Sequence, residues 1–221
     1  MKKFIALVLC ALMVLGVLTA CGGGNDTPAA PNNAGSGAPA NNNNDPAPEG
    51  GDSTGLPEIT AGMCEGAVIL TSIGQSADAD VVSTLCQRAG IDVYANNTIA
   101  ADSVTDQYKT ILMAVGGSSK GLGAAGIDAD QELARAEALI SRCQELGIKI
   151  VAMHTGGSAR RGTLSDSFIN PVFAAADVAI VIKEGDSDNL MSGILSGNST
   201  PSAYLDSAAD AIGVLQTLFG K

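Results

Sequence analysis

The stretch Thr110-Ile-Leu-Met-Ala-Val115 (TILMAV) decides the fold of this chain. A short, continuous apolar run of this kind indicates a strand that is buried on both faces, and such strands are typical of parallel sheets covered by helices. Similar runs occupy residues 67–72 (AVILTS), 91–95, 148–154 (IKIVAMH) and 178–183 (VAIVIK). The chain therefore offers five strands for one parallel sheet.

Segments with helical periodicity separate these strands. Residues 78–89 carry one apolar stripe and end before Gly90, and Asp128 can cap a long helix that ends at Gly147. Further helices are predicted at residues 101–108, 163–176, 189–196 and 205–219, the first of them weak. Thr163 and Asp166 have the spacing of a capping box at the start of the second.

The alternation of strand and helix predicts parallel pairing in a three-layer, doubly wound α/β sandwich. We expect a five-stranded sheet, to which a short strand near residues 202–204 would add a sixth at the edge. A flavodoxin-like strand order, 2-1-3-4-5, is preferred, and a Rossmann-like order is the alternative.

The N-terminal residues predict export and attachment. Lys2 and Lys3 precede an apolar run over residues 4–17, and the run leads through Leu18-Thr-Ala to Cys21. This pattern is typical of a bacterial lipoprotein signal peptide over residues 1–20, after which Cys21 carries lipid such as palmitate. An uncleaved membrane anchor is the alternative, although the run is shorter than the roughly 20 residues of a span. Either reading predicts a protein held at the cell membrane on its extracytoplasmic face.

The remainder divides into a tether and one domain. Residues 21–55 consist mainly of Gly, Asn, Pro and Ala, which cannot bury enough surface to fold and predict a disordered linker. Residues 56–221 are long enough for a single α/β domain with a full core.

Composition excludes several functional classes. The whole chain has a formal charge of −11. Loss of residues 1–20 removes two lysines and no acid, which leaves −13. Such a charge argues against nucleic acid as a partner and against binding to a membrane through a basic patch. The absence of tryptophan disfavours an aromatic sugar-binding cleft.

Three cysteines would remain in the domain, and no CxxC pair occurs among them. Cys86 and Cys143 lie on the apolar faces of predicted helices, where a free thiol packs as a small hydrophobe. Cys64 precedes the first strand and is expected to be the most exposed of the three, so a disulfide to another chain stays open.

The candidate site lies beyond the carboxyl ends of the strands, where open α/β sheets collect ligands. Lys120, Arg160 and Arg161 bring positive charge to loops rich in glycine and serine, and such loops suit a carboxylate or phosphate. The candidate ligand-binding residues are Gln75, Ser76, Gly117, Ser118, Ser119, Lys120, His154, Thr155, Gly156, Arg160 and Arg161. The alternative is that the glycines only permit tight turns and the cations are merely solvated.

His154 is the only histidine and ends the fourth predicted strand. It could act as a general base or form a structural hydrogen bond, and the lack of a second histidine disfavours a metal site. Residues 121–126 match GxGxxG but lie several residues past a strand, so we expect neither a dinucleotide nor another cofactor. Nothing resembles a nucleophile elbow, which favours a binding protein over an enzyme.

Three blocks carry a family resemblance: residues 69–82 (ILTSIGQSADADVV), 115–128 (VGGSSKGLGAAGID) and 153–169 (MHTGGSARRGTLSDSFI). The chain resembles, from about Gly66 to Phe219, a family of uncharacterised bacterial extracytoplasmic domains of unknown function. The resemblance implies a domain that is often exported and supplies no activity or catalytic residues.

These observations favour a lipid-tethered domain that binds a small anionic solute and passes it to a membrane transporter or senses it. A cofactor-free hydrolase that uses His154 is one alternative. An interaction module of an envelope protein complex is another, and it predicts a sizeable apolar surface patch.

Overall fold

The structure, a computed structural model, describes residues 55–221. The predicted signal peptide, Cys21 and the predicted linker up to residue 54 lie outside the described residues. The described chain forms a six-stranded, all-parallel sheet. Its strands are β1 (Val68–Ile73), β2 (Val93–Ala95), β3 (Thr110–Val115), β4 (Lys149–His154), β5 (Val178–Ile182) and β6 (Ser202–Leu205).

The strand order is β2-β1-β3-β4-β5-β6. It confirms the preferred flavodoxin-like order over the Rossmann-like alternative, with the expected sixth strand at the edge. β1, β3 and β4 form the centre, and every residue of β1 and β3 is buried. The apolar run TILMAV, which forms β3, thus lies in the middle of the sheet.

Helices cover both faces of the sheet, which gives the predicted three-layer α/β sandwich. The helices are α1 (Asp78–Arg88), α2 (Ser119–Ala125), α3 (Ala129–Leu146), α4 (Thr163–Ala174), α5 (Leu190–Asn198) and α6 (Ala211–Leu218). α1 and α6 pack on one face, against side chains such as Leu112 and Met153. α2 to α5 pack on the other face, against Ile111 and Met113 among others. None of the described helices is both long and apolar enough to cross a membrane.

The predicted local structure is confirmed at one helix cap and wrong at one helix. Asp128 caps α3, and a capping box with Gln131 completes the cap. The helix predicted over residues 101–108 is wrong: only Ala101–Ser103 forms a short 3-10 turn.

The capping box predicted at Thr163 is also wrong. Gly162, with φ 107°, is the N-cap of α4 and supplies no side-chain oxygen. The carboxylate of Asp166 accepts a hydrogen bond from Arg161 instead, so an ion pair replaces the predicted cap.

The three cysteines of the domain are free and buried. Cys86 and Cys143 pack in the core as predicted. Cys64 is the most accessible of the three, as predicted, but it is not exposed: only 3% of its surface is accessible, and burial raises the pKa of its thiol to about 11. Its backbone N–H donates to Leu218 O, which draws the segment before β1 under the end of α6.

The incoming chain meets the sheet at the amino ends of the strands. Pro57 O accepts from Ser202 N, the first residue of β6, at 2.9 Å. Gly62 N donates to Thr217 O, and Lys221 Nζ donates to Gly90 O. The first and last described segments therefore lie together at the edge opposite to the carboxyl ends.

Candidate functional site

Loops from β1, β3 and β4 meet at the carboxyl edge of the sheet, as the sequence predicted. Gln75 and Gly117 form an isolated antiparallel bridge. Gly116 N donates to Ile73 O and Ser118 N donates to Gly74 O, each at 2.9 Å. The loops after β1 and β3 are thus joined by backbone hydrogen bonds. The loop after β4 contacts them through the side chain of one arginine.

That arginine is Arg160. Its Nε lies 3.2 Å from Asp78 Oδ2, and the same carboxylate oxygen accepts a hydrogen bond from Ser76 Oγ at 2.8 Å. Asp78 and Ser76 are buried, whereas about a third of the Arg160 side chain is exposed. We name Ser76, Asp78, Gly116, Gly156 and Arg160 the strand-end junction.

Two glycines make room for the charged pair. A Cβ on Gly156 would stand 2.0 Å from Arg160 Cγ and 2.8 Å from Asp78 Oδ2. A Cβ on Gly116 would stand 2.7 Å from Asp78 Oδ2. The glycines after β3 and β4 are therefore required for close approach. The arginine stem and the carboxylate fill the space in which an anionic ligand was expected.

A buried ion pair supports the β1 loop from below, and sequence reasoning missed it. Glu132 on α3 is fully buried and pairs with Arg135, whose Nε lies 2.8 Å from Oε2. Glu132 Oε1 accepts hydrogen bonds from Gly74 N at 2.7 Å and from Gln75 Nε2 at 3.1 Å. A second donor bond from Gln75 Nε2 reaches Asn97 O. These contacts hold Gln75 at φ 56°, a conformation that residues other than glycine seldom adopt.

The residues after β3 divide between structure and surface. Ser118 is the N-cap of α2, and its hydroxyl accepts from Gly121 N at 3.1 Å. Gly117 N donates to Ser165 Oγ at 2.9 Å. Ser119 and Lys120 are exposed, and Lys120 forms no ion pair within residues 55–221. A helix, not a loop, therefore follows Ser118.

Arg161 is held by protein groups rather than presented to solvent. Its Nε donates to Asp166 Oδ1 at 2.8 Å, and its two terminal nitrogens bind both oxygens of Asp188 at 2.9 Å. A further bond reaches Gly185 O. The hydrogen bond from Arg161 lowers the pKa of the Asp188 carboxyl to about 2. Arg161 thus fastens the β4 loop to the β5 loop.

His154 is fully buried beneath the β4 and β5 loops that Arg161 joins. Its Nδ1 lies 3.1 Å from Val115 O, and its Nε2 lies 3.1 Å from Gly157 O. Gly185 closes over the ring, since a Cβ there would stand 2.5 Å from Cδ2. Burial lowers the pKa of His154, an effect that its two backbone contacts oppose. This environment matches the structural hydrogen-bonding role that the sequence left open.

The environment of His154 predicts a pH-dependent stability. A base whose pKa is lower in the folded state than its ordinary value near 6.5 favours folding when neutral, so stability is present at neutral pH and lost as pH falls through that value. We expect the free energy of unfolding to fall between pH 7.5 and 5.5 by up to about 1.4 kcal/mol in total, nearly all of it below pH 6.5, where the unfolded histidine takes up its proton. Urea unfolding at the two pH values measures it.

His154→Gln is the control, because it keeps a hydrogen-bonding side chain and removes the titration. Its stability should change less between the two pH values than that of the unmodified protein. Equal or greater stability of the unmodified protein at pH 5.5 would show instead that a doubly donating imidazolium is the favoured form.

Other candidate features lie near the junction or away from it. The Thr155 hydroxyl is buried and has no hydrogen-bond partner within residues 55–221. Over the same residues, no three His, Cys, Asp or Glu side chains gather as a metal site requires. An open hollow of about 500 Å³ is lined by Ala101, Asp102, Ala138, Ser141, Arg142 and Glu145, and none of these is a candidate ligand-binding residue.

Comparison with known proteins adds a family but no activity. No curated protein matches the chain. Among solved structures, the chain is similar to the pyridoxal kinase from Leishmania donovani in complex with ADP and ginkgotoxin, with 16% identity and a TM-score of 0.34. The match covers 69% of this chain and 60% of the kinase, so the chain spans less than two thirds of that protein. A likeness at this level carries no argument about function. A family profile matches residues 65–219, and on that match the chain belongs to the family described as Domain of unknown function (DUF6305).

Proposed function

We propose that the domain binds a small solute with an anionic group at the strand-end junction and that Arg160 is the residue that recognises the anion. The observation that supports this proposal is the state of the Arg160 guanidinium. It makes no hydrogen bond within residues 55–221, and its Nε is buried without one although it lies beside Asp78. Arginine ordinarily uses its fork of N–H donors on a carboxylate or phosphate.

Arg160 can leave its present position because about a third of its side chain is exposed. Outward rotation of the side chain would vacate the space above Gly116 and Gly156, where no Cβ obstructs a guest. Ser76 and Thr155 would then offer hydroxyl groups to that space. The guest in this proposal occupies a crevice that the arginine stem now fills.

The other cations have lesser parts in this proposal. Arg161 donates hydrogen bonds to Asp166, Asp188 and Gly185 O and so stiffens the loop that carries Arg160. Lys120 is exposed on α2 and would contribute long-range attraction rather than contact.

Arg160→Gln tests the proposal. We expect the full chain to bind at least one member of a panel of small carboxylates, amino acids and phosphates, and the variant to bind it at least tenfold more weakly, the scale of a lost charge-assisted contact. Isothermal titration calorimetry or ligand-induced NMR shifts give the dissociation constants. Arg88→Gln is the matched control, because Arg88 is an exposed arginine in the last turn of α1. Equal affinities in the unmodified protein, Arg160→Gln and Arg88→Gln would refute the proposal.

The setting of this function is likewise a proposal. Lipid on Cys21 would hold the domain at the extracytoplasmic face of the cell membrane, where it would pass the solute to a transporter or sense it. Neither alternative function gains a specific observation: His154 is enclosed, and among residues 55–221 the exposed large apolar side chains are Val81 and Tyr94.

A further inference from the structure

The strand-end junction holds one negative and one positive group in contact, and this pairing restricts the guest. Asp78 is 6% exposed, and its carboxylate forms an ion pair with Arg160. Its Oδ2 faces Ser76 and Arg160, whereas its Oδ1 accepts no hydrogen bond within residues 55–221. The carboxylate therefore depends on Arg160 as its only cationic partner in the described chain.

A guest that carries only negative charge would disrupt this balance. It would draw Arg160 away from Asp78 and leave a buried carboxylate without its cationic partner, which is strongly unfavourable in a protein. The same guest would also stand close to the Asp78 charge and be repelled by it. An anion alone is thus opposed by the group that lies beneath it.

A guest with both charges avoids these costs. Its ammonium group would replace Arg160 as the partner of Asp78 and Ser76, and its carboxylate would bind the guanidinium of the displaced Arg160. One internal ion pair would be exchanged for two pairs with the guest, and every charge would stay compensated. The unpartnered Thr155 hydroxyl, next to Gly156 in the chain, is available as an additional hydrogen-bonding group.

From this balance we infer that the junction selects a small zwitterion of the amino-acid type, with its ammonium on Asp78 and its carboxylate on Arg160. The inference rests on the proposed function, since it assigns a chemical class to the same site. It adds a second recognition residue, Asp78, whose role is selectivity for the ammonium group.

The test compares ligands that differ by one charged group. The full chain is titrated with alanine and leucine, with propionate and 4-methylpentanoate, which lack the ammonium, and with ethylamine and 3-methylbutylamine, which lack the carboxylate. Protein NMR shifts detect millimolar affinities and report folding in the same spectra. We expect the amino acids to bind at least tenfold more tightly than either set of analogues.

Asp78→Asn supplies the second arm. The variant should lose at least tenfold in affinity for the amino acids and should no longer prefer them over the matched carboxylates. Asp80→Asn is the control, since Asp80 is an exposed acid in the same first turn of α1. If Asp78→Asn fails to fold, the comparison of ligands on the unmodified protein still decides the question.

The outcomes separate the two proposals. If the carboxylates bind as tightly as the amino acids and Asp78→Asn strengthens their binding, the zwitterion inference is wrong and anion recognition by Arg160 stands. If amino acids and carboxylates both bind with affinities unaffected by Arg160→Gln, both proposals fail. If neither set binds, the zwitterion inference is wrong, and the phosphates of the panel decide the proposed function.

Discussion

Glu132→Gln is expected to lower the free energy of unfolding by about 3 kcal/mol or more, because removal of one partner from a buried ion pair leaves the other charge uncompensated. Glu132 is fully inaccessible, and Arg135 is 13% exposed at its side chain. Glutamine keeps an oxygen for Gly74 N but cannot balance the guanidinium. Urea denaturation followed by circular dichroism measures the change.

Glu137→Gln provides the matched control, because Glu137 is an exposed glutamate on the same helix and should change stability by less than about 0.5 kcal/mol. A double variant, Glu132→Gln with Arg135→Met, removes the unpaired charge and should recover part of the loss. Stability of Glu132→Gln within the error of Glu137→Gln would contradict the account of the β1 loop given above.

Gly121→Ala is expected to destabilise the domain by about 2 kcal/mol or more, although alanine is the better helix former. Gly121 lies in α2 directly against the β1 loop, and a Cβ there would stand 1.7 Å from the carbonyl oxygen of Gln75. Backbone cannot move aside as a flexible side chain can, so either α2 or the loop must shift.

Gly123→Ala tests this reasoning within the same helix. A Cβ on Gly123 meets nothing within 4 Å, so the substitution should stabilise the domain by about 0.5–1 kcal/mol through helix propensity alone. Thermal unfolding of the two variants should therefore show shifts of opposite sign. Shifts of the same sign would mean that α2 does not rest on the Gln75 carbonyl as described.

The sequence was sufficient for the architecture because burial on both faces leaves a strong signal. Runs such as TILMAV and VAIVIK need partners above and below, and their alternation with helices permits few topologies. Short-range details were less secure. Residues 101–108 have only a weak helical pattern, and tertiary packing favours a turn there over a helix. The capping box predicted for α4 fails because Asp166 binds Arg161 instead. The local sequence pattern gives no sign of this ion pair.

The candidate site was predictable as a place but not as a set of contacts. Parallel strands bring their carboxyl ends together, so the meeting of Gln75, Gly117 and Arg160 at one edge follows from topology. The pairing of Arg160 with Asp78 joins residues distant in sequence, and their spacing carries no sign of it. Glu132 was missed for a related reason: a charged residue in a helix is ordinarily assigned to solvent. An acid and a base three residues apart, at Glu132 and Arg135, were the only local sign of an ion pair.

The polarity of the parallel sheet also settles how the domain can be handled. Pro57 joins the sheet beside the start of β6, at the amino ends of the strands, whereas Arg160 lies at their carboxyl ends. A surface or reporter coupled through the N-terminal side of residue 57 is therefore attached at the amino ends of the strands. Immobilised in that way, the protein keeps Arg160 and its surroundings accessible to ligands in solution.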